Sequence, residues 1–368
     1  MLCLEAGPLE KAGAHWFNGV PAWAFESGGV PLPDGPELAA RGVPFHLVAG
    51  WGPHRVVVRD HDLMEVDMSL LGARLRQLAA DHGATLRGGQ PVDRSALGEY
   101  SCTLVDATGL AGLNLLGLPA VGRDDLCAAA QGHWKVTDLQ AAQHFFGENA
   151  VAEGDTLCFT GVAGGYSVVN LRLKGETLAM LTGAIPAQGH PSGLQLAKRF
   201  AAEHSWVGER LRLGARSIPL APPPAFIGRG RVAAIGDSAR QVFGAHGSGI
   251  AQQLLAARLL ARVLASGEGP ESYDRRWRRR YGGLLAGADL LRRFSCSLDS
   301  DQLSTLMRTG ALPESMARRT LTQRPARPGK EVLGALVGLA RNPSLARRML
   351  PVLARLPLLE ARYRLGRR

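Results

Sequence analysis

The stretch 231–266, RVAAIGDSARQVFGAHGSGIAQQLLAARLLARVLAS, decides how the rest of the chain is read. It opens with a short apolar run, Val232, Ala233, Ala234 and Ile235, of the length of a buried strand. Gly236 and Asp237 make an acidic turn, and Gly244, Gly247 and Gly249 punctuate a loop before a long segment rich in Ala and Leu. The pattern predicts a strand, an acidic turn, a loop that exposes its backbone, and a helix N-terminus. Such a unit suits a phosphorylated ligand rich in hydroxyl groups. A carboxylate at the carboxyl end of a parallel strand accepts hydrogen bonds from sugar-like hydroxyls, while glycines let the ligand reach the backbone and the positive end of the helix dipole.

Two further stretches have the same character. Residues 101–106 predict a strand that closes on Asp106-Ala107-Thr108-Gly109, and the first residues, Met1-Leu2-Cys3-Leu4-Glu5, predict a buried strand ending in an acid. From about 124 to 220 the pattern changes to strands of alternating polarity (GHWKVTD, TLCFTGV, GYSVVNLRL, TLAMLTGAI) with one helix over 193–204. Alternation of this kind fits antiparallel strands with one buried face.

The GDSA turn followed by GSGI resembles the second flavin-binding motif of the FAD-dependent hydroxylase and geranylgeranyl reductase families, and VDATG resembles a turn that lies beside the dinucleotide in these flavoproteins. The resemblance covers about residues 1–285. It implies an α/β fold: a Rossmann-like FAD-binding domain from 1–120 and 225–285, an inserted antiparallel β-sheet substrate domain over 121–224 to which 44–65 contributes, and a helical basic tail over 286–368. By resemblance Glu5 takes the ribose, Thr108 and Gly109 lie along the dinucleotide, and Gly236 and Asp237 hold the ribityl or pyrophosphate end. Gly247, Ser248, Gly249 and Ile250 approach the flavin ring or its phosphates. His246 is the candidate proton donor and Tyr166 a candidate on the substrate side.

The sequence departs from the family pattern in several places. Met68 stands where an arginine is common, and Ala107-Thr108-Gly109 replaces the Asp-Gly pair of the hydroxylases, which is closer to the reductase and cyclase branches. Gly164-Gly165-Tyr166-Ser167 resembles the start of the reductase segment GGYGWVFP, but Val168, Asn170 and Leu171 replace its Trp, Phe and Pro. The strand ending at Glu5 ordinarily follows a first strand, a GxGxxG turn and a helix, a unit of about 30 residues. No GxGxxG occurs in the chain. The expectation is that this unit stands upstream of Met1, so that extending the chain restores tight flavin binding. Two alternatives are weakened or lost FAD binding, and an ordinary surface role for Glu5.

Composition sets the outer limits. The chain has 368 residues, 46% hydrophobic and 20% charged, enough to bury a large core. No run approaches the roughly 18–20 apolar residues of a transmembrane helix, and the N-terminus is too short and too soon acidic for a signal peptide. Five scattered cysteines without a CxxC point to a cytoplasmic setting with no metal or disulfide framework. The net charge of +11 is concentrated in residues 271–368, which hold 21 Lys and Arg against 8 Asp and Glu.

The remaining elements are read in order. Residues 7–43, with His15, Trp16, Phe17, Trp23 and Phe25, predict a long loop whose aromatics pin it to the core or border a ligand. Residues 44–65 alternate like strands, 66–82 predict a helix stopped at Gly83, and 85–92 another strand. In the tail, Tyr273, Trp277 and a cluster of arginines precede helical stretches. Beyond the proline-rich 325–328 come two amphipathic segments, 331–341 and 344–364. These suit either a helix lying on an anionic membrane surface or helices packed on the body. No recognised nucleic-acid module accompanies the charge.

The expected function is an FAD-dependent oxidoreductase reducing carbon–carbon double bonds of an isoprenoid or other small apolar substrate, with NAD(P)H or an electron-transfer protein as reductant. A flavin-dependent monooxygenase or dehydrogenase of a small substrate is the alternative. A non-catalytic protein that has lost FAD binding is the third.

Overall fold

The structure, a computed structural model, describes residues 1–325 and 330–366, leaving aside the side chains of 330–333. The N-terminal part runs β1 (Leu2–Leu4), β2 (Phe17–Pro21), α1 (Ala22–Gly28), β3 (Leu38–Arg41), β4 (Phe45–Ala49), β5 (Arg55–Val58), β6 (Leu63–Asp67), α2 (Met68–Asp81), β7 (Thr85–Arg87) and β8 (Leu104–Asp106). The middle holds β9 (Leu126–Val136), α3 (Leu139–Glu148), β10 (Thr156–Thr160), β11 (Ser167–Lys174), β12 (Thr177–Ala184), α4 (Gly193–Glu203) and β13 (Val207–Pro219). Then β14 (Gly228–Arg229) and β15 (Val232–Ala234) lead to α5 (Ile250–Ala265), α6 (Pro270–Trp277), α7 (Gly283–Cys296), α8 (Ser300–Arg308), α9 (Glu314–Leu321), α10 (Lys330–Ala340) and α11 (Pro343–Arg364).

The strands of alternating polarity form one large sheet in the order β13-β9-β12-β11-β10-β4-β5. Every pair is antiparallel except β10 beside β4. Alternate residues of β11 and β12, Val169, Leu171, Leu173, Leu178 and Met180, are buried beneath α3 and α4, which contribute Phe146 and Phe200. Side chains two apart share a face of a strand, so the polar partners Asn170 and Arg172 fall on the other face. Part of 44–65 joins this sheet as β4 and β5, whereas β6 pairs instead with β2 and β3 in a separate antiparallel sheet.

That second sheet corrects the expectation of a long loop over 7–43. The segment folds into β2, α1 and β3, and Val20, Ala24 and Phe25 are fully buried against Met64 and Val66. Each element is too short to show a period, and the glycines that suggested a loop end them. Gly29 closes α1 at φ 68°, the left-handed conformation favoured at a helix C-cap.

The other parallel pairs lie in two small sheets. One pairs β1 with β7, and the other runs β14-β15-β8 with β15 parallel to β8. Among the described residues β1 and β8 each lack a partner on one edge, and Leu2 and Val105 on them remain 43% and 45% exposed. α5 and α6 cover the other sheet, burying Ala233, Ala234, Leu255, Ala256, Tyr273 and Trp277 in one cluster. The fold is α/β, with a Rossmann-like part and a large, mainly antiparallel sheet.

The tail is packed against this body. Leu303, Leu306 and Met307 of α8 cluster with Leu339, Leu345 and Met349 of α10 and α11 and with Ala49 at the end of β4. The two amphipathic segments are helices as expected, but these apolar residues meet protein, so a membrane role for those faces loses its support. Among the described residues no helix is long and apolar enough to cross a membrane. Of the proline-rich 325–328, residues 326–328 lie outside the described residues.

Candidate functional site

The two parallel strands β8 and β15 end side by side, and their turns are fastened together. Asp106, 1% exposed, accepts hydrogen bonds at Oδ1 from Thr108 N (3.1 Å), Thr108 Oγ1 (2.7 Å) and Ser238 Oγ (3.1 Å), and at Oδ2 from Leu115 N (2.8 Å). Ser238 Oγ in turn accepts from Gly109 N at 2.8 Å. A buried carboxylate that receives several donors holds both turns in a fixed shape. The Thr108 hydroxyl is spent inside this clasp, since it also accepts from Leu113 N at 2.8 Å. Asp106 and Ser238 went unrecognised as a pair because 132 positions separate them.

Asp237 sits on the next residue back with the opposite character. It is half-buried, no protein group within the described residues donates a hydrogen bond to its carboxylate, and desolvation raises its pKa, opposed by the charge of Arg216. Gly236 beneath it has φ 70°, and its N–H is held by the buried Gln241 Oε1 at 2.8 Å. Gln241 Nε2 donates to Tyr273 Oη at 2.7 Å, which ties the acidic turn to α6. The Gln253 side chain lies close over both Gly236 and Gly249.

The glycine loop closes on itself through the bridge between Phe243 and Ser248, with Gly247 at φ 75°, and Gly249 begins α5 with no side chain capping it. Ile250 turns inward and packs against the cluster around Phe25. The helix therefore offers an open N-terminus beside the unpaired carboxylate.

The two candidate chemical residues lie on either side of the loop. Tyr166 is buried, with its hydroxyl 3.3 Å from where a Cβ on Gly247 would stand, and burial raises its pKa well above the ordinary phenol value. His246 faces outward, and its Nε2 lies 3.1 Å from the Thr320 carbonyl at the end of α9, to which only a protonated nitrogen donates. Surrounding protein pushes its pKa down to about 4, so the ring is neutral at pH 7. This geometry fits a tie between loop and tail better than delivery of a proton.

The tail makes two more such ties. Trp23 Nε1 donates to the Thr322 carbonyl at 2.9 Å, and Gln252 pairs with Gln323 at 3.0 Å. Residues 320–323 thus strap the start of α5, which the charge pattern of the tail gave no reason to expect. Glu5 follows β1 as expected, half-buried, with one carboxylate oxygen taken by Gly7 N at 3.0 Å, but the strand is not the buried one predicted, since Leu2 and Cys3 are exposed at its open edge.

A cleft of about 250 Å³ opens where 13–17 meets β9 and β13, lined by Trp16, Phe17, Gln131, His133, Arg212 and Arg216 among others. Arg216 links it electrostatically to Asp237. Gln131 Oε1 is buried there without a hydrogen-bond partner, and His133, beside the Phe17 ring at 5.4 Å, has its pKa lowered by desolvation and by Arg212. The unsatisfied acceptor and the aromatic wall mark a place for a small ligand. Trp16 and Phe17 were legible as an aromatic stretch. Gln131 and His133 were hidden, because alternation places them on a strand face without saying what that face meets.

Solved structures share the overall fold. The chain is similar to a geranylgeranyl bacteriochlorophyll reductase-like protein from Thermoplasma acidophilum, with a TM-score of 0.71 and 13% identity over 95% of this chain and 98% of that one. It is also similar to the flavin-dependent brominase Bmp2 (TM-score 0.59, 15% identity, 93% of each chain). A variant of the halogenase PltM in complex with FAD gives a TM-score of 0.61 at 12% identity, over 97% of this chain and 89% of that one. No family model and no curated protein matches the sequence. The likeness is one of fold: the chain has the fold of the FAD-dependent oxidoreductases of hydroxylase-like architecture.

Proposed function

We propose that the chain binds FAD and is an FAD-dependent oxidoreductase that reduces a carbon–carbon double bond of an apolar or isoprenoid substrate. Asp237 carries the cofactor assignment. It is a desolvated carboxylate without a donor among the described residues, just beyond the end of a parallel strand and beside an uncapped helix N-terminus. Ribityl hydroxyls supply the donors it lacks. Asp237 would hold that chain, the backbone of 247–249 would approach the ring or its phosphates, and Glu5 would take the ribose. Bound flavin supplies hydride-transfer chemistry. The halves assigned to cofactor (1–120 with 225–285) and substrate (121–224 with 44–65) meet at the cleft.

The residues of this chain position the substrate. Trp16 and Phe17 offer apolar walls that exclude water, and Gln131 Oε1 offers an acceptor. A cleft of about 250 Å³ lies at the low end of ligand sites and suits a ring or the end of a chain. The reductase reading is supported by the higher TM-score to the reductase-like protein, with NAD(P)H or an electron-transfer protein as reductant. The monooxygenase or dehydrogenase reading is supported by the small cleft and by the halogenases among the similar structures.

Titration with FAD, followed in the flavin absorption bands, tests the assignment. Binding is expected, and Asp237→Ala weakens it by about 10- to 100-fold, the equivalent of roughly 1–3 kcal/mol for hydrogen bonds to a charged group. If the chain, including a form extended at its N-terminus, binds no FAD, the protein is a non-catalytic member of the fold and the proposal fails. Anaerobic saturation of an alkene by the reduced protein supports the reductase; substrate-dependent oxygen consumption supports the alternative.

A further inference from the structure

A second cavity, of about 500 Å³, lies between α7 and α11, away from the residues of the candidate site. Its existence follows from how the two helices meet. On one face of this region Gly282, Gly283 and Gly287 let α11 come close, with Tyr363, Glu360 and Leu356 seated where Cβ atoms would otherwise stand. The neighbouring face of α7 carries Ala286, Asp289, Leu290 and Arg293, spaced so that they share one side of a helix. Arg355, Leu358, Leu359 and Arg362 share one side of α11 in the same way, and the cavity opens between these two stripes.

The charges around it do not cancel. Asp289 and Asp125 are both bound by Arg292 and Arg293, at 2.6–3.2 Å, so these four groups form a closed set of two acids and two bases. Arg278 donates to the Ala225 carbonyl and lies over the Tyr363 ring, and among the described residues it pairs with no carboxylate. Arg355 and Arg362 are exposed and have neither a hydrogen bond nor an ion pair among the described residues. Among the described residues three guanidinium groups are left uncompensated around a cavity whose apolar walls include Leu290, Leu358 and Leu359. Leu358, 67% exposed, forms the rim of this hollow.

We propose that this cavity is a binding site for a phosphorylated single-chain amphiphile, independent of the flavin assignment. The phosphate is held by Arg355 and Arg362 with Arg278 behind them, and the chain lies over Leu290, Leu358 and Leu359. Guanidinium groups suit phosphate because each presents paired N–H donors in the geometry of two oxygens. A concave site with apolar walls selects an individual amphiphile over a flat membrane surface, which would meet the exposed arginines without filling the hollow.

The test is calorimetric titration of the whole protein with dodecyl phosphate below its micelle-forming concentration, beside inorganic phosphate, dodecanol and anionic phospholipid vesicles. One-site binding of dodecyl phosphate is expected, at least tenfold tighter than either phosphate or dodecanol, and weakening as salt rises. The pair Arg355→Gln with Arg362→Gln should reduce it at least tenfold, and Leu358→Ser more modestly. Thermal unfolding of the variants checks that these exposed substitutions leave the fold intact. Equal affinity for inorganic phosphate overturns the amphiphile and leaves a simple anion site. Binding to vesicles without binding to the monomeric amphiphile overturns the proposal in favour of a membrane surface. Dodecyl phosphate binding that ignores both arginines, or no binding, overturns the site.

Discussion

The large sheet and the parallel strands are built from similar residue types and end in different states. In the seven-stranded sheet, β9 to β12 have neighbours on both sides, and a dense apolar layer lies under two helices. In the parallel part, β1 and β8 each present an open edge, and apolar side chains such as Val105 remain nearly half exposed. Both regions have apolar cores, since Ala233, Leu255, Tyr273 and Trp277 cluster in the parallel part, but there the strand ends are also set by polar fastenings: Asp106 to Ser238, Gln241 to Tyr273, and His246 to Thr320. Strand ends fixed by hydrogen bonds around an unpaired carboxylate are suited to be completed by a ligand. A region held by apolar packing is suited to serve as a platform.

The largest effect is expected at the joint between the two regions. Arg292, 1% exposed, binds Asp125 just ahead of β9 and Asp289 on α7. Arg292→Met leaves two acids without their buried partner and should cost about 3–5 kcal/mol in denaturant unfolding, provided the two carboxylates stay charged. A loss below 1 kcal/mol would mean the regions do not depend on this contact. Next, Leu171→Ala or Leu178→Ala, both at fully buried positions, should cost about 2–5 kcal/mol through lost burial and the cavity left behind.

In the polar half the effects are expected in pH dependence more than in absolute stability. The Asp237 pKa is raised in the folded protein. Its contribution to stability is therefore present below the unfolded carboxylate value and lost as pH rises through the folded one. Asp237→Asn should accordingly raise the melting temperature at pH 7 more than at pH 4, while weakening FAD binding. Equal shifts at both pH values would contradict a desolvated carboxylate. His246 runs the other way. With its pKa pushed down from 6.5 to about 4, its contribution is present above the unfolded value and lost as pH falls through that window. His246→Gln should flatten the loss of stability between pH 6.5 and 4. The smallest effect belongs to the open edge: Val105→Thr should change stability by less than about 0.5 kcal/mol, as for an exposed position. A larger penalty would show that something covers β8.

How much was legible follows from the range of each interaction. The alternation in β11 and β12, the helix over 193–204 and the turn at Asp237 depend on neighbours within a few residues, so their pattern is written in the chain. The elements β2, α1 and β3 were hidden within 7–43, because strands and helices of four to seven residues have no measurable period. Tyr166, expected on the substrate side, stands beside the glycine loop, and the Thr108 hydroxyl is consumed by Asp106 and Leu113.

The sequence by itself determined the α/β class, the strand–turn–glycine loop–helix unit around Asp237 and the amphipathic character of the tail, since local periodicity and glycine placement encode them. Only the tertiary structure decided which carboxylates are spent and which are free. Asp106 and Asp237 stand at the ends of adjacent parallel strands, yet among the described residues one receives four hydrogen bonds and the other none. That difference arises from Ser238 and the turn through Leu115 arriving on one side only. Tertiary packing also turned the apolar residues of the tail inward and set four arginines around a hollow between α7 and α11. Charge and amphipathicity can be counted along a chain, but whether a face meets solvent, protein or a cavity depends on elements far away in sequence.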